Sequence, residues 1–451
     1  MYTLRTYQQN AVEEAIKFVN NKQNKKKPVI VAPTGAGKSL YIAAIADKLD
    51  FPLIVLQPSK ELLLQNYEKY TNYGNKASIF SASLGSKEIG HVTFATIGSI
   101  KNSAERFKEL GVKLILIDEA HLQSRPNGQI NKFLKQLGNV KLLGLTATPV
   151  VLNNTLNGPM LQMVNRTRKS IWNDILFVTQ IKEVIEQGFW ADLQYKTIEL
   201  DEDDLQFNAS KSEFTESSMQ RVYEKNNVDQ LILEEIEAYK HVKKHILIFC
   251  PTVEVAKNLQ TKIEGSVVIY GSMNNKERDV IITKFKNGEI QVVINVFVLS
   301  IGFDFPGLDM IIDTSPTASI GRYYQKLGRV VRPFEDKQGL IVDLAGNVNR
   351  FGELKHLVFE EHPTLGWNMF SKDVLLTNIP VSEIGKIRKP TLEQISEEQQ
   401  NKLNPVIEFG KHKGKRIKEI PTNYLSWILK EFQWNNYNKD LKTAIEKLKE
   451  L

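Results

Sequence analysis

The segment Val29-Ile-Val-Ala-Pro-Thr-Gly-Ala-Gly-Lys-Ser-Leu-Tyr41 constrains the fold of this chain more than any other stretch. Three apolar β-formers, Val29 to Val31, run into a Pro/Gly turn that delivers Lys38 and Ser39 at the head of a helical pattern. Strand, glycine loop and helix in that order are what a phosphate-binding loop requires. Gly35 and Gly37 allow successive amide N–H groups, across Thr34 to Ser39, to turn inward, with Ala36 between them. The helix starting near Lys38 adds the positive end of its dipole. Lys38 is then placed to meet the outer phosphates of a nucleotide such as ATP, and Ser39 to offer its hydroxyl to Mg²⁺. Ala32 stands where the strict pattern has its first glycine.

Around this loop the chain alternates short apolar runs with helical patterns. After the helix over Leu4 to Val19 come strands at Leu53 to Leu56, near Ile79, at His91 to Ala95, Leu114 to Ile117 and Leu142 to Leu145, with a helix over Lys60 to Tyr70. A second alternation starts with the helix Asp229 to Tyr239 and the strand Ile246 to Phe249, and ends with the strand Gly339 to Asp343. Such alternation predicts parallel sheets covered on both faces, whose ligands bind at the carboxyl ends of the strands. With 451 residues, two or three domains are expected.

Those strand ends carry the candidate chemistry. Asp118-Glu119-Ala-His121 comes after the run Leu114 to Ile117, about where a phosphate-loop hydrolase holds its metal. Asp118 is the candidate Mg²⁺ holder, and Glu119 the candidate acceptor for the proton of the attacking water. Thr146 and Thr148, in Leu-Thr-Ala-Thr-Pro149, can hydrogen-bond the acidic group and relay its state, or simply cap a turn. Gln8 can read donor and acceptor on adenine, or sit on an exposed helix face. Far along the chain, Gln325-Lys-Leu-Gly-Arg329-Val-Val-Arg332 sets two arginines three apart. An arginine brought across a cleft to a phosphoryl transition state is worth roughly 10³ to 10⁵ in rate.

Taken in order, Gln8, Ala32 to Ser39, Gln57-Pro-Ser59-Lys60-Glu-Leu62, Thr96-Ile-Gly-Ser99, Asp118 to His121, Thr146 to Pro149, Phe249 to Thr252, Ser300-Ile-Gly302-Phe-Asp304 and Gln325 to Arg332 resemble the successive motifs of superfamily 2 helicases. The resemblance covers roughly residues 1 to 345. It implies two tandem RecA-like motor domains, residues 1–200 and 226–350, joined by a linker at 201–225. It also implies ATP and Mg²⁺ as cofactors, with catalytic Lys38, Asp118, Glu119, Arg329 and Arg332, and coupling through His121, Thr146 and Thr148. Gly302, Asp304 and Gln325 are the further nucleotide-contacting positions it implies. Ser59, Lys60, Thr96, Ser99 and Thr252 match positions that hold a nucleic-acid backbone, where hydroxyl and ammonium groups suit phosphate contact. The Asp-Glu-Ala-His form and the short connections are similar to the phage UvsW and bacterial RecG groups. They point to a DNA translocase acting on forked or branched duplexes.

The remainder is less regular. Residues 151–172, with Arg166, Arg168 and Lys169, read as an inserted loop touching DNA or as a solvated charge cluster. Residues 351–396 form a connecting segment. Residues 397–451 read as a small basic α+β module, a hairpin with Lys411 and Lys413 on an aromatic helix, suited to backbone binding. Its aromatics, Tyr424, Trp427 and Phe432, are expected in the core of that module. A formal charge of +7 fits an acidic polymer as partner, and the single cysteine, Cys250, excludes an internal disulfide and a cysteine-based metal cluster. No run reaches transmembrane length and the N-terminus lacks a basic segment followed by an apolar stretch, so a cytoplasmic setting without membrane contact is expected, and the chain is expected to be a monomer. The rival readings are an RNA helicase, the motor of a restriction system, and a binding protein that only senses nucleotide; the last has no need of Glu119 and two arginines.

Overall fold

The structure, a computed structural model, describes residues 3–123, 129–168, 170–299, 303–363, 365–388, 401, 404–432, 434 and 439–450. The chain divides into two units, Met1–Phe359 with Asn368–Ile387, and Glu360–Trp367 with Arg388–Leu451.

Two large sheets organise the first unit. The strands of the first are β1 (Pro28–Val31), β2 (Leu53–Gln57), β3 (Ser78–Ser81), β4 (Ser86–Lys87), β5 (Val92–Thr96), β6 (Leu114–Ile117) and β7 (Lys141–Thr146). After a hairpin of β8 (Val150–Thr155) and β9 (Gly158–Met163), β10 (Asp174–Val178) completes it. Their order is β10-β1-β7-β6-β2-β5-β3-β4, parallel except at the β3–β4 edge. Every residue of β1, β2 and β6 is buried. That is why these strands read as unbroken apolar runs: with helices on both faces, neither side chain row meets water. Because β7 lies between β1 and β6, with Val31 opposite Thr146 and Ile117 opposite Gly144, the segments after these strands emerge side by side.

The second sheet is wholly parallel. It comprises β11 (Asp192–Thr197), β12 (Ile246–Phe249), β13 (Val267–Ile269), β14 (Val292–Asn295), β15 (Met310–Asp313) and β16 (Gln338–Asp343), in the order β11-β16-β15-β12-β14-β13. Ile246, Ile248, Ile294, Ile312 and Val342 lie in its core with Leu259 and Ile232 from covering helices. The two parallel sheets match the tandem arrangement expected.

Three local readings change. β11 lies before residue 200, inside the expected first domain, yet it pairs with β16 in the second sheet. The chain has therefore crossed between sheets before the segment 201–225. That segment, expected as a linker, carries the helix Glu216–Lys225, which buries Met219, Val222 and Tyr223. Residues 151–172 are not one irregular loop, since β8 and β9 pair antiparallel from Val150–Met163 to Thr155–Gly158, and the strand Ile379–Pro380 pairs with β9. Asn153 and Asn154 face Met160 and Pro159 there, so strand-poor residues are carried by pairing rather than by propensity. Of the basic cluster, Arg166 and Arg168 are exposed and Lys169 lies outside the described residues.

In the second unit, Ile407, Ile417, Ile420, Leu425, Ile428, Ala444 and Ile445 form a core under the helices Thr422–Glu431 and Lys439–Glu450. Val406 bridges Arg416 antiparallel, and Gly410 and Gly414, at φ +70° and +87°, turn the chain between them. Lys411 and Lys413 stand exposed on this turn. The aromatics do not all join the core as expected. Tyr424 and Phe432 pack against it, but Trp427 is 54% exposed because Leu425 and Ile428 take the inward face of the helix. Among the described residues no helix is long and apolar enough to cross a membrane.

Candidate nucleotide site

Pro33 to Ser39 form a turn over the carboxyl end of β1 and enter the helix Lys38–Asp47. Gly35 and Gly37 have φ +82° and +84°, conformations that side chains with a Cβ rarely adopt. Space matters as well, since a Cβ at Gly37 would stand 2.8 Å from the Gln8 amide nitrogen and one at Gly35 3.1 Å from Trp190.

Gln8 is fully buried, and both ends of its amide are engaged. Nε2 donates to the Ala36 carbonyl at 2.7 Å, and Oε1 accepts from the Arg5 backbone N–H at 3.0 Å. It braces the loop from behind and does not occupy an exposed helix face. Trp190 does the same from the other side, donating from Nε1 to the Thr34 carbonyl at 2.7 Å.

At the tip of β6, Asp118 is buried. Its Oδ1 accepts from the Glu119 backbone N–H at 2.9 Å and its Oδ2 from Asn66 Nδ2 at 3.1 Å. Burial pushes this carboxyl up, with Lys38 opposing the shift and Glu119 adding to it. Glu119 itself has φ +48°, a left-handed backbone that costs a non-glycine residue roughly 1–3 kcal/mol. Its Oε1 accepts from Lys38 Nζ at 2.5 Å, and its Oε2 lies 3.5 Å from His121 Nδ1. Burial works against the Lys38 charge, but Glu119 and Asp118 outweigh it and hold the ammonium above its ordinary pKa. His121 is lowered by burial and shares a hydrogen bond of 2.7 Å with Thr146 Oγ1. Thr146 Oγ1 also accepts from the Thr148 N–H at 3.1 Å, so the three coupling candidates form one chain.

The helix Ile320–Leu327 of the second sheet's domain meets this edge. The Tyr324 hydroxyl accepts from the Thr34 N–H at 3.0 Å, and Gln325 Nε2 lies 3.4 Å from His121 Nε2. Arg329 donates from Nη1 to the Phe303 carbonyl at 2.8 Å and from Nε to the Gln325 carbonyl at 3.1 Å. Burial, then repulsion from Arg332, pushes its guanidinium down to about 10. Arg332 pairs with Asp304, which also accepts from Gln65 Nε2 at 3.1 Å. Asp304 therefore holds an arginine, and Gly302 lies outside the described residues.

Lys38, Ser39, Asp118, Glu119, Gln325, Arg329 and Arg332 line one cavity of about 420 Å³. Oxygen donors of Ser39 and Asp118 on one wall fit Mg²⁺, which usually takes one or two protein oxygens and fills its other positions with water and phosphate. A carboxylate, an ammonium and two guanidiniums around that wall can position a polyphosphate, accept a proton and offset developing charge. Sequence reasoning missed Asn66, Tyr324, Trp190, Arg5 and Lys69, of which Arg5, Asn66 and Lys69 line the cavity.

The candidate backbone contacts lie at strand ends of both sheets. Gln57 and Thr96 are register partners, so Ser59 and Thr96 stand at the ends of adjacent strands. Ser59 caps the helix Lys60–Asn72 through the Leu62 N–H at 3.3 Å, and Thr252 caps Val253–Gln260 through the Val255 N–H at 3.1 Å. Ser99 Oγ accepts from the Ala82 N–H and lies 2.8 Å from Thr96 Oγ1. A capping hydroxyl uses its lone pair and keeps its proton for an acceptor such as phosphate. Lys60 is 3.9 Å from Glu61.

Residues 1–151 match the family model described as Type III restriction enzyme, res subunit, and residues 226–333 match that of the Helicase conserved C-terminal domain. The chain has the domain architecture of a superfamily 2 helicase/translocase. Among relatives of this chain, "DNA 3'-5' translocase XPB2" of Sulfurisphaera tokodaii is 24% identical over 374 residues, covering 76% of this chain and 81% of that protein. "Putative ATP-dependent helicase IRC3" of Saccharomyces cerevisiae is 23% identical over 76% of this chain. The chain spans 51% of that yeast relative and 65% of "Putative helicase 22" from a Sulfolobus islandicus filamentous virus. In fold it is similar to the "ATP-dependent Type ISP restriction-modification enzyme LlaBIII bound to DNA", with TM-score 0.57, 20% identity, and coverage of 76% of this chain and 28% of that one. It is also similar to a fragment of "a putative HsdR subunit of a type I restriction enzyme" from Vibrio vulnificus, with TM-score 0.55 and 19% identity over 78% of this chain and 66% of that one. These two likenesses concern the fold.

Proposed function

We propose that this chain is an ATP-driven DNA translocase that unwinds or branch-migrates forked or branched duplexes. The observation that carries the reading is the convergence of Lys38, Asp118 and Glu119 from one sheet with Arg329 and Arg332 from the other on a single cavity. A nucleotide held there touches both domains at once, so binding and release change their separation, which is the mechanical step a translocase needs.

Lys38 leaves Glu119 for the outer phosphates, and Glu119 is then free to orient water and take its proton. Ser39 and Asp118 would hold Mg²⁺, whose charge offsets that of the phosphate oxygens. Arg329 and Arg332 neutralise the charge that spreads over the transferred group. His121, beside the Glu119 carboxylate, hydrogen-bonded to Thr146 and with Gln325 next to it, carries the state of the acid to the second domain.

ATP hydrolysis and strand separation should be measured on single strand, duplex, fork, four-way junction and RNA duplex. Forks and junctions are expected to stimulate most. Strongest stimulation by RNA duplex refutes the DNA assignment, and stimulation by plain duplex without strand separation favours the restriction-type motor. Removing the chain from residue 397 onward, with Lys411 and Lys413, should weaken DNA binding and reduce its salt dependence, because each phosphate contact contributes to that slope. Equal binding by the shortened chain contradicts the proposed role of the basic turn.

A further inference from the structure

The helix that carries Gln325 and leads to Arg329 is gripped at its start by a carboxylate that no motif marks. Glu213 lies before the helix Glu216–Lys225 and is 6% exposed. Its Oε2 accepts from the Thr317 hydroxyl at 2.6 Å and lies 3.3 Å from Arg322 Nη1; its Oε1 accepts from the Ala318 N–H at 2.8 Å. Thr317 Oγ1 in turn accepts from the Ser319 N–H at 3.0 Å, and Ser319 Oγ caps the helix through the Arg322 N–H at 3.4 Å. One buried carboxylate thus fixes the two residues before the cap and an arginine of the first turn.

The helix Ile320–Leu327 has eight residues, so its two ends are only about 12 Å apart and a shift at the start reaches the end. Another anchor is internal to the domain. Lys326 Nζ, 2% exposed, donates to Asp313 Oδ1 and to the Ser315 carbonyl, both at 2.7 Å. Lys326 fixes the helix near its end, and Glu213 fixes its start from the segment after β11.

We propose that Glu213 is a positioning residue for Arg329, acting through the helix Ile320–Leu327 without touching substrate. The proposal rests on the reading that Arg329 acts on the transferred phosphoryl group. A buried carboxylate also stabilises the fold, so the test must separate the two effects. Glu213→Ala should lower the kcat of ATP hydrolysis roughly 10- to 100-fold, the range seen when a distant change misplaces a reacting group. KM and the affinity for a fluorescent ATP analogue should stay within about twofold, since ground-state binding is untouched. Glu213→Gln should lie between, because its amide oxygen still accepts from Ala318 while its NH₂ can donate to the Thr317 oxygen.

The deciding measurement is a cycle with Arg329→Ala. If Glu213 acts through Arg329, adding Glu213→Ala or Glu213→Gln to Arg329→Ala lowers kcat no further. The same proportional loss in both backgrounds, or wild-type kcat in Glu213→Ala, overturns the proposal. Should Glu213→Ala not unfold cooperatively, Glu213→Gln carries the same cycle. Absence of hydrolysis by the wild type defeats the underlying reading of Arg329, a result distinct from either of these.

Discussion

Glu119→Gln should leave ATP bound and reduce its hydrolysis by roughly 10²- to 10⁴-fold, the usual contribution of a general base. Gln keeps the shape and one acceptor for Lys38 but cannot take a proton from water. Binding should hold or tighten, because the partner that holds Lys38 at 2.5 Å becomes neutral and competes less for the ammonium. Lys38→Ala differs in kind, since it removes a charge from the phosphate cradle and should weaken binding and hydrolysis together. Nucleotide affinity from a fluorescent analogue and single-turnover hydrolysis separate the two variants. Glu119→Gln with wild-type turnover would remove the proposed water activator.

Arg329→Ala should cost roughly 10³-fold or more in kcat, the range for an arginine supplied to a phosphoryl transition state. The reason lies in the burial of its guanidinium, which is pushed down to about 10 and is held by the Phe303 and Gln325 carbonyls. A cation fixed by carbonyls in a low-dielectric site acts on developing charge more strongly than one in water and needs little reorganisation. Arg332→Ala should cost less, because Arg332 is already paired with Asp304. Steady-state kcat and KM for both variants with saturating DNA check the order. Equal losses would mean that the Asp304 pair opens during turnover and that Arg332 reaches the phosphate as fully as Arg329.

Much of this arrangement was legible in the residues because the motif positions sit at strand ends. Val29 to Val31 and Leu114 to Ile117 are apolar throughout, as doubly covered parallel strands must be, and the loop at the carboxyl end of such a strand faces the ligand edge. The convergence of Lys38, Asp118 and Glu119 arises from β7 lying between β1 and β6. Motif order allowed that neighbourhood to be expected without coordinates.

Other parts had no local signal. Asn66 reads as one more polar residue on the helix Lys60–Asn72, and only the fold brings its amide to Asp118. Tyr324 is one of two consecutive tyrosines, both buried, and its bond to Thr34 spans 290 positions in sequence. Glu213 sits in a stretch rich in Ser, Asp and Glu, whose composition suggests a solvated linker. β11 carries Asp192, Gln194 and Lys196 among its six residues, as an edge strand does, and nothing local says which sheet it joins. Side-chain period reports burial of a face, whereas the partner of an edge strand is decided by long-range pairing.

The most direct measurement of the central claim, that this composite cavity drives movement on DNA, is steady-state ATP hydrolysis by the purified wild-type chain with and without forked DNA. Hydrolysis that needs Mg²⁺ and rises at least about tenfold with DNA is expected, since nucleic acid held by both domains favours the closed arrangement in which Arg329 shares the cavity with Lys38. ATP binding without hydrolysis, or hydrolysis at the same rate with and without DNA, would contradict it.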